Sequence, residues 1–350
     1  MTRDVMQELD LQLPVVQGPM TGSDSPALAA AVSASGGLGS LGCGMRSPQA
    51  MAEAAAAVRA QTDRPFAMNL FVQAAPAPDA ATVQQALQRL APLYARFGAE
   101  PAVPAQWCED LAQQLDALVA CRPAVASFTF GILSAAQVQR LQAAGSQVWG
   151  TATTVAEALA WQAVGADAVI ASGSEAGGHR GTFLADYASS MVSTLPLVRD
   201  CVRQLQLPVI AAGGIMDGAG IAAALALGAQ AVQMGTAFLV CPESAINAAY
   251  RAALAAAQAT DTVTTRTISG RPARGIRNAM IDALEAEEAA IPPYPVQNAL
   301  TGALRKLAGA TGDAQYLSLW AGQGVAQARA LPAAQLLQQL KAEWQAAGAQ

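Results

Sequence analysis

The chain predicts an α/β fold: a closed (β/α)8 barrel carrying a smaller, mostly helical second domain. Three observations predict it. Eight short runs recur that are continuously apolar rather than alternating, as parallel strands covered on both faces should be. Most are followed by an alanine-rich stretch, and strand–helix alternation argues α/β. Eight such units favour closure over an open sheet, and 350 residues accommodate a barrel of about 250 with an appendage.

In order, the strand runs are LPVVQGPM (13–20), GLGSLG (37–42), FAMNLFV (66–72), AVASFTFG (124–131), SQVWGTAT (146–153), ADAVIASG (166–173), LPVIAAGG (207–214) and QAVQMGTAFL (230–239). The first leads into SPALAAAVSAS. The second leads into SPQAMAEAAAAVRAQ, where Ser47 can cap the helix and Pro48 suits its first turn. SAAQVQRLQAAG, TVAEALAWQAVGA and DGAGIAAALALGA are the helices after the fourth, fifth and seventh strands. Two stretches break the repeat, 76–109 and 259–325. They are expected to form one small helical domain over the barrel mouth, leaving 1–75 and 110–258 as the barrel. LPAAQLLQQLKAEWQA, within 326–350, is expected to pack back as an amphipathic capping helix.

Composition narrows the function classes. Hydrophobic residues are 53% and charged residues 13%, so a large core is available. A net charge of −5 offers no basic footprint, which argues against nucleic acid as a partner. No apolar run reaches the ~18 residues that span a bilayer, and MTRDVMQELD lacks the apolar core of a secretory signal. A cytoplasmic protein without a membrane partner is therefore expected. Homo-oligomer formation stays open. The five cysteines, 43, 108, 121, 201 and 241, form no CxxC pair and read as buried, reduced thiols. No P-loop, HExxH or EF-hand pattern occurs and no convincing GxGxxG follows a strand, so neither a Walker or Rossmann site nor a metal is expected.

Chemistry in such a barrel belongs where strands end, on the C-terminal face. That rule collects Gly18, Pro19 and Met20 after the first strand, Asn69 in the third, and GSEAGGHRG (173–181) after the sixth. Gly213 and Gly214 follow the seventh, and Gly235 and Thr236 the eighth. Glycines there permit close backbone approach. Those after the seventh strand precede a helix N-terminus, whose N–H groups suit phosphate. The only histidine of the chain, His179, lies in the glycine loop. A lone histidine can be a mere satisfied polar residue, but this position reads as functional. Asn69 could end a strand or offer its amide to a heterocycle edge, and the residues alone leave both open. Glu175 could orient His179 or be solvated, the second being favoured. Met20 reads as wall, and Gly213 and Gly214 serve either a turn or a phosphate.

The strings QGPMTG, NLFV, SFTFG, GSEAGGHRG, PVIAAGGIMDGAGIAAALALGA, VQMGTAFL, SGRPARGIRN, YPVQN and LWAGQG, in order from about residue 13 to about 325, resemble the nitronate monooxygenase family, formerly called 2-nitropropane dioxygenases. EAGGHRG with AAGGI and QMGT is shared with FMN-dependent enoyl-[acyl carrier protein] reductases. SGRPARGIRN, YPVQN and LWAGQG favour the monooxygenase branch. The resemblance implies a TIM barrel with non-covalent FMN and no metal. It implies oxidation of alkyl nitronates, with propionate 3-nitronate as natural substrate, by O2 to carbonyl compounds and nitrite.

By resemblance, the active-site histidine falls on His179. The FMN contacts fall on Asn69, Gly177, Gly214, Gln233, Met234, Gly235 and Thr236. Gln17, Gly18, Met20, Gly178 and Gly213 complete the expected cofactor set. One departure is Ser172, where family members carry a glutamine that contacts the flavin, so flavin affinity or redox tuning is expected to differ. His179 is expected to donate a hydrogen bond or proton to the nitro oxygens, or to act as general base on neutral nitroalkanes with its ordinary pKa near 6.5. Arg271 and Tyr294 are the substrate contacts guessed for the small domain. Rival readings are an NAD(P)H-dependent FMN reductase on the same scaffold and a non-catalytic flavin-binding protein.

Overall fold

A computed structural model describes residues 3–348. Its strands are β1 (Val15–Gln17), β2 (Gly39–Gly42), β3 (Phe66–Phe71), β4 (Val125–Thr129), β5 (Gln147–Ala152), β6 (Ala168–Ser172), β7 (Gly178–His179), β8 (Val209–Ala212), β9 (Ala231–Met234), β10 (Thr262–Thr265) and β11 (Ala273–Ile276). Eight of them pair in parallel in the order β1-β9-β8-β6-β5-β4-β3-β2. Val16 bridges Leu38 in parallel and joins the two ends, with the Gln17 N–H donating to the Leu38 carbonyl at 2.9 Å. The result is a TIM barrel.

The continuous apolar runs arise because both faces of each strand are covered. Val16, Ile170, Ile210, Ala231 and Trp149 pack in one buried cluster, with Val5, Leu9 and Leu11 beside them. Their strand neighbours Val15, Val169, Val209 and Val232 belong to another, shared with the surrounding helices. Alternation by one residue thus separates lumen from outer layer. Ser47 caps helix Pro48–Arg59 by accepting from the Ala50 N–H. The C-terminal helix Ala333–Gly348 packs on helix Gly218–Ala226, and Glu343 accepts from the Gly218 N–H at 3.0 Å.

Two features depart from the pattern. The run 230–239 is not one strand: β9 stops at Met234, and Thr236–Leu239 turns into a short helix after Gly235. The segment 259–325 is not only helical, since β10 and β11 pair antiparallel and β11 pairs with β7. A second apolar cluster joins Leu90 and Tyr94 to Tyr250, Ile268, Met280, Leu300 and Leu304. The Tyr94 hydroxyl donates to the Leu300 carbonyl at 2.6 Å and accepts from the Leu304 N–H at 3.1 Å, tying the insert after β3 to the later segment. All five cysteines are free; Cys108, unlike the rest, is only half-buried.

Candidate active site

The C-terminal strand ends surround a cavity of about 500 Å³, a size ordinary for a small ligand or cofactor. Its wall brings together Gly18, Met20, Asn69, Ser172, Gly177, Gly178, His179, Gly213, Gly214, Gln233, Met234, Gly235 and Thr236. Gln17 is the expected residue it leaves out. That side chain is fully buried, donates to the Gly18 carbonyl and accepts from the Ser40 N–H at 2.8 Å, so its amide is consumed in holding the barrel closed.

Much of this wall is backbone. A Cβ on Gly178 would meet nothing within 4 Å, and one on Gly235 would meet only Met20 Sδ at 3.9 Å. Gly177 is different. A Cβ there would strike Gly322 N at 2.5 Å, because the LWAGQG segment lies directly on the glycine loop. That apposition is fixed by the Gly322 N–H donating to Thr236 Oγ1 and the Gln323 N–H donating to the Glu175 carbonyl. Asn69 donates to Ser127 Oγ at 3.0 Å and to Thr129 Oγ1 at 3.4 Å. Its Oδ1 and the side chains of Ser172 and Gln233 have no protein partner among the described residues, and all three residues line the cavity. Open glycine backbone beside unpartnered acceptors and donors fits a phosphate-bearing heterocycle.

His179 is positioned from two directions. It is the second residue of β7, opposite Ala273 of β11, and its Nε2 lies 2.8 Å from Ser269 Oγ. The Ser269 hydroxyl has the Arg271 carbonyl as acceptor at 3.1 Å. This assigns Nε2–H as the donor to Ser269 and leaves Nδ1 bare. Aromatic rings enclose the imidazole: Phe130, Tyr294 and Trp320 have centroids 5.4, 5.5 and 5.2 Å away. Phe130, with φ of 79°, holds a left-handed backbone conformation. Such a residue costs on the order of 1–3 kcal/mol and persists where its surroundings over-determine it. Here stacking on Phe71 at 4.3 Å and the Arg271 guanidinium 4.3 Å over its ring do so.

Desolvation, with the positive charges of Arg271 and Arg305 adding to it, pushes His179 down from 6.5 to about 3. The expectation of an ordinary imidazole pKa is therefore corrected: in this wall the ring is neutral at physiological pH. Two other readings are corrected by contacts. Glu175 is half-buried and not aimed at His179; it accepts from the Thr194 N–H at 2.9 Å and Oγ1 at 2.8 Å, supplying the N-terminal cap that helix Thr194–Gln204 otherwise lacks. Arg271 does not line the cavity, since its guanidinium donates to the Arg180 and Thr182 carbonyls behind Phe130. Tyr294 does line it.

Sequence reasoning did not single out Phe71, Thr129, Phe130, Thr151, Tyr250, Ser269, Asn298, Arg305 or Trp320 at this site. The strand-end rule could have found Phe71, Thr129, Phe130 and Thr151, which lie at or just beyond the ends of β3, β4 and β5. Among the described residues no helix is long and apolar enough to cross a membrane, and no His, Cys, Asp and Glu group could hold a metal.

A family model described as nitronate monooxygenase matches residues 3–343. The chain belongs to the nitronate monooxygenase family. The nitronate monooxygenase of Pseudomonas aeruginosa is 47% identical, over 98% of this chain and 99% of that protein. That of Paraburkholderia phytofirmans is 44% identical, over 97% and 94%. Among solved structures, nitroalkane oxidase from Streptomyces ansochromogenes superposes with a TM-score of 0.92 at 39% identity, covering 99% of both chains. FabK from Thermotoga maritima gives 0.77 at 30% identity, covering 100% of this chain and 98% of that one. The chain is accordingly an oxidoreductase acting on nitronates, of a flavin-dependent family.

Proposed function

We propose that this enzyme uses non-covalent FMN and O2 to convert alkyl nitronates, propionate 3-nitronate foremost, into carbonyl compounds and nitrite. The observation that carries the reading is the enclosure of the single histidine in the same cavity as the open glycine wall. Gly213, Gly214, Gly235 and Thr236 would hold the phosphate, while Asn69, Ser172 and Gln233 would face the ring edge. FMN supplies electron transfer when bound. The rest falls to side chains. A nitronate is already a deprotonated carbon acid, so no residue has to remove a proton to start. A neutral imidazole suits that task. Negative charge brought beside it favours the imidazolium, so Nδ1 would take up a proton as the nitronate binds and donate it to a nitro oxygen. Phe71, Phe130, Tyr294 and Trp320 would exclude water from the reacting carbon.

In this proposal the barrel, 1–75 and 110–258, holds the cofactor, and 76–109 with 259–325 covers the substrate. The enzyme would work in the cytoplasm on a small molecule and O2, without nucleic acid or membrane; a homo-oligomer is compatible with this. The test is nitrite release with the visible spectrum of the purified protein followed before and after propionate 3-nitronate under argon. Bleaching by the nitronate alone is expected, and a protein that stays colourless after FMN addition and desalting defeats the reading. The likeness to FabK keeps an NAD(P)H-dependent FMN reductase as the second reading. Fast anaerobic bleaching by NADPH would favour it.

A further inference from the structure

We propose that Arg305 binds a second anionic group of the substrate, a carboxylate, and so selects nitronates that carry an acid group on a short chain. The proposal rests on the nitronate reading above. Arg305 stands on helix Gly302–Thr311 and lines the cavity. One corner of its guanidinium is occupied: Nη2 donates to the Asn298 carbonyl at 2.8 Å and to Asn298 Oδ1 at 2.9 Å. The remainder is not. Nε is sealed from solvent without a partner, and Nη1 makes no hydrogen bond among the described residues. The groups that act on its charge are the phenols of Tyr294 and Tyr94, with no carboxylate among them.

Arg180 shares the buried, unpartnered Nε, but the neighbouring cations spend their other donors on the loops. Arg180 donates to the Ser172, Gly173 and Ser190 carbonyls, Arg271 to two carbonyls, and Arg274 to the Ser174 carbonyl and Thr262 Oγ1. Their donors hold the loops in place. Arg305 alone of these four lines the cavity. A desolvated cation without a counter-ion is costly until an anion arrives, and the unpartnered Nη1 offers a carboxylate a charge-assisted hydrogen bond. Lys306 on the same wall adds positive field.

The anion could come from cofactor phosphate or from substrate. The phosphate-suited glycines lie on the barrel strand ends, whereas Arg305 stands in the covering segment beside Asn298, and its charge reaches His179. Placement with the histidine favours the substrate. One end of the molecule would then be held at Arg305 and its nitronate end at His179, which fixes orientation as well as affinity.

The test uses the holoenzyme as wild type, Arg305→Gln and Arg305→Lys. The ratio of kcat/KM for propionate 3-nitronate to that for propane 1-nitronate should fall roughly 10- to 100-fold in the glutamine variant. It should fall less in the lysine variant, which keeps the charge. An unchanged ratio in both variants overturns the proposal. So does loss of bound FMN with the ratio preserved, which would assign the guanidinium to the cofactor phosphate. A second readout needs no turnover: succinate should raise the thermal midpoint of wild type and not of Arg305→Gln, and equal shifts overturn the proposal. If wild type releases nitrite from neither nitronate, the proposed function fails while the succinate comparison still decides what Arg305 binds.

Discussion

At the barrel rim the cavity wall is largely main chain, with Gly178 and Gly235 leaving space that a side chain would occupy. In the covering segment, 259–325, the wall is side chain: Tyr294, Asn298, Arg305 and Trp320 reach inward. The rim therefore suits a ligand that needs backbone donors and a flat slot, and the cover suits one recognised by charge and rings. The histidine belongs to both. It is carried by the loop after β6, yet β11 and Ser269 of the cover fix its ring. Under the proposed function, the difference means that cofactor and substrate chemistry can be addressed by separate changes.

The largest effect is expected where the rim's space is filled. Gly235→Leu should yield protein with little or no bound FMN by visible absorbance and correspondingly little nitrite release; full flavin content would break the division between the two walls. His179→Ala should keep the flavin and lower kcat for nitrite release by roughly 100-fold or more, within the range for a positioned proton donor. Ser269→Ala acts from the cover. It removes the acceptor of Nε2–H, worth about 1 kcal/mol, so a roughly fivefold fall in kcat with unchanged FMN content is expected. Equal losses of flavin in the Ser269 and Gly235 variants would erase the distinction.

Titration sharpens the same comparison. With His179 held near 3 in the folded protein, kcat/KM should show no histidine limb near pH 6.5, because this is the chain's only imidazole. A folded pKa below the unfolded one means that the unfolded chain binds the proton first. The stabilisation is complete above 6.5 and is lost as pH falls toward 3, by at most about 1.4 kcal/mol per pH unit. Chemical denaturation of wild type against His179→Gln isolates it. The buried Asp24 carboxyl, pushed up to about 6 by desolvation, works in the opposite sense between its ordinary 3.8 and 6 in both proteins. The smallest effect belongs to Ser172→Gln, which should tighten FMN binding several-fold, measured by flavin release on dilution.

The barrel was legible because its strands are covered on both faces and several of its helices have a recognisable start. Ser47 with Pro48 shows the link from residue type to element most directly. The strand-end rule likewise gathered most of the rim. It failed at Gln17, whose register points its amide into the closed barrel, where Ser40 takes it. The cover was less readable, since β10 and β11 are four residues each and β11 pairs with a two-residue strand about 95 positions upstream. No local period records such a partner. Arg305 was illegible for another reason: LRK on a helix has the spacing of any solvated face, and its inward placement depends on Asn298, which accepts from its Nη2. Glu175 shows the reverse error, a charge that read as solvated and instead caps a helix.

The backbone pairing of Gly178 and His179 with Ala273 and Arg274 has a consequence for turnover. Any outward swing of 259–325 that lets a product leave must either drag the imidazole with it or break that ladder. Each catalytic cycle would then reset the histidine, and an exit step slower than chemistry would register first in mutations along β11, far from the reacting carbon.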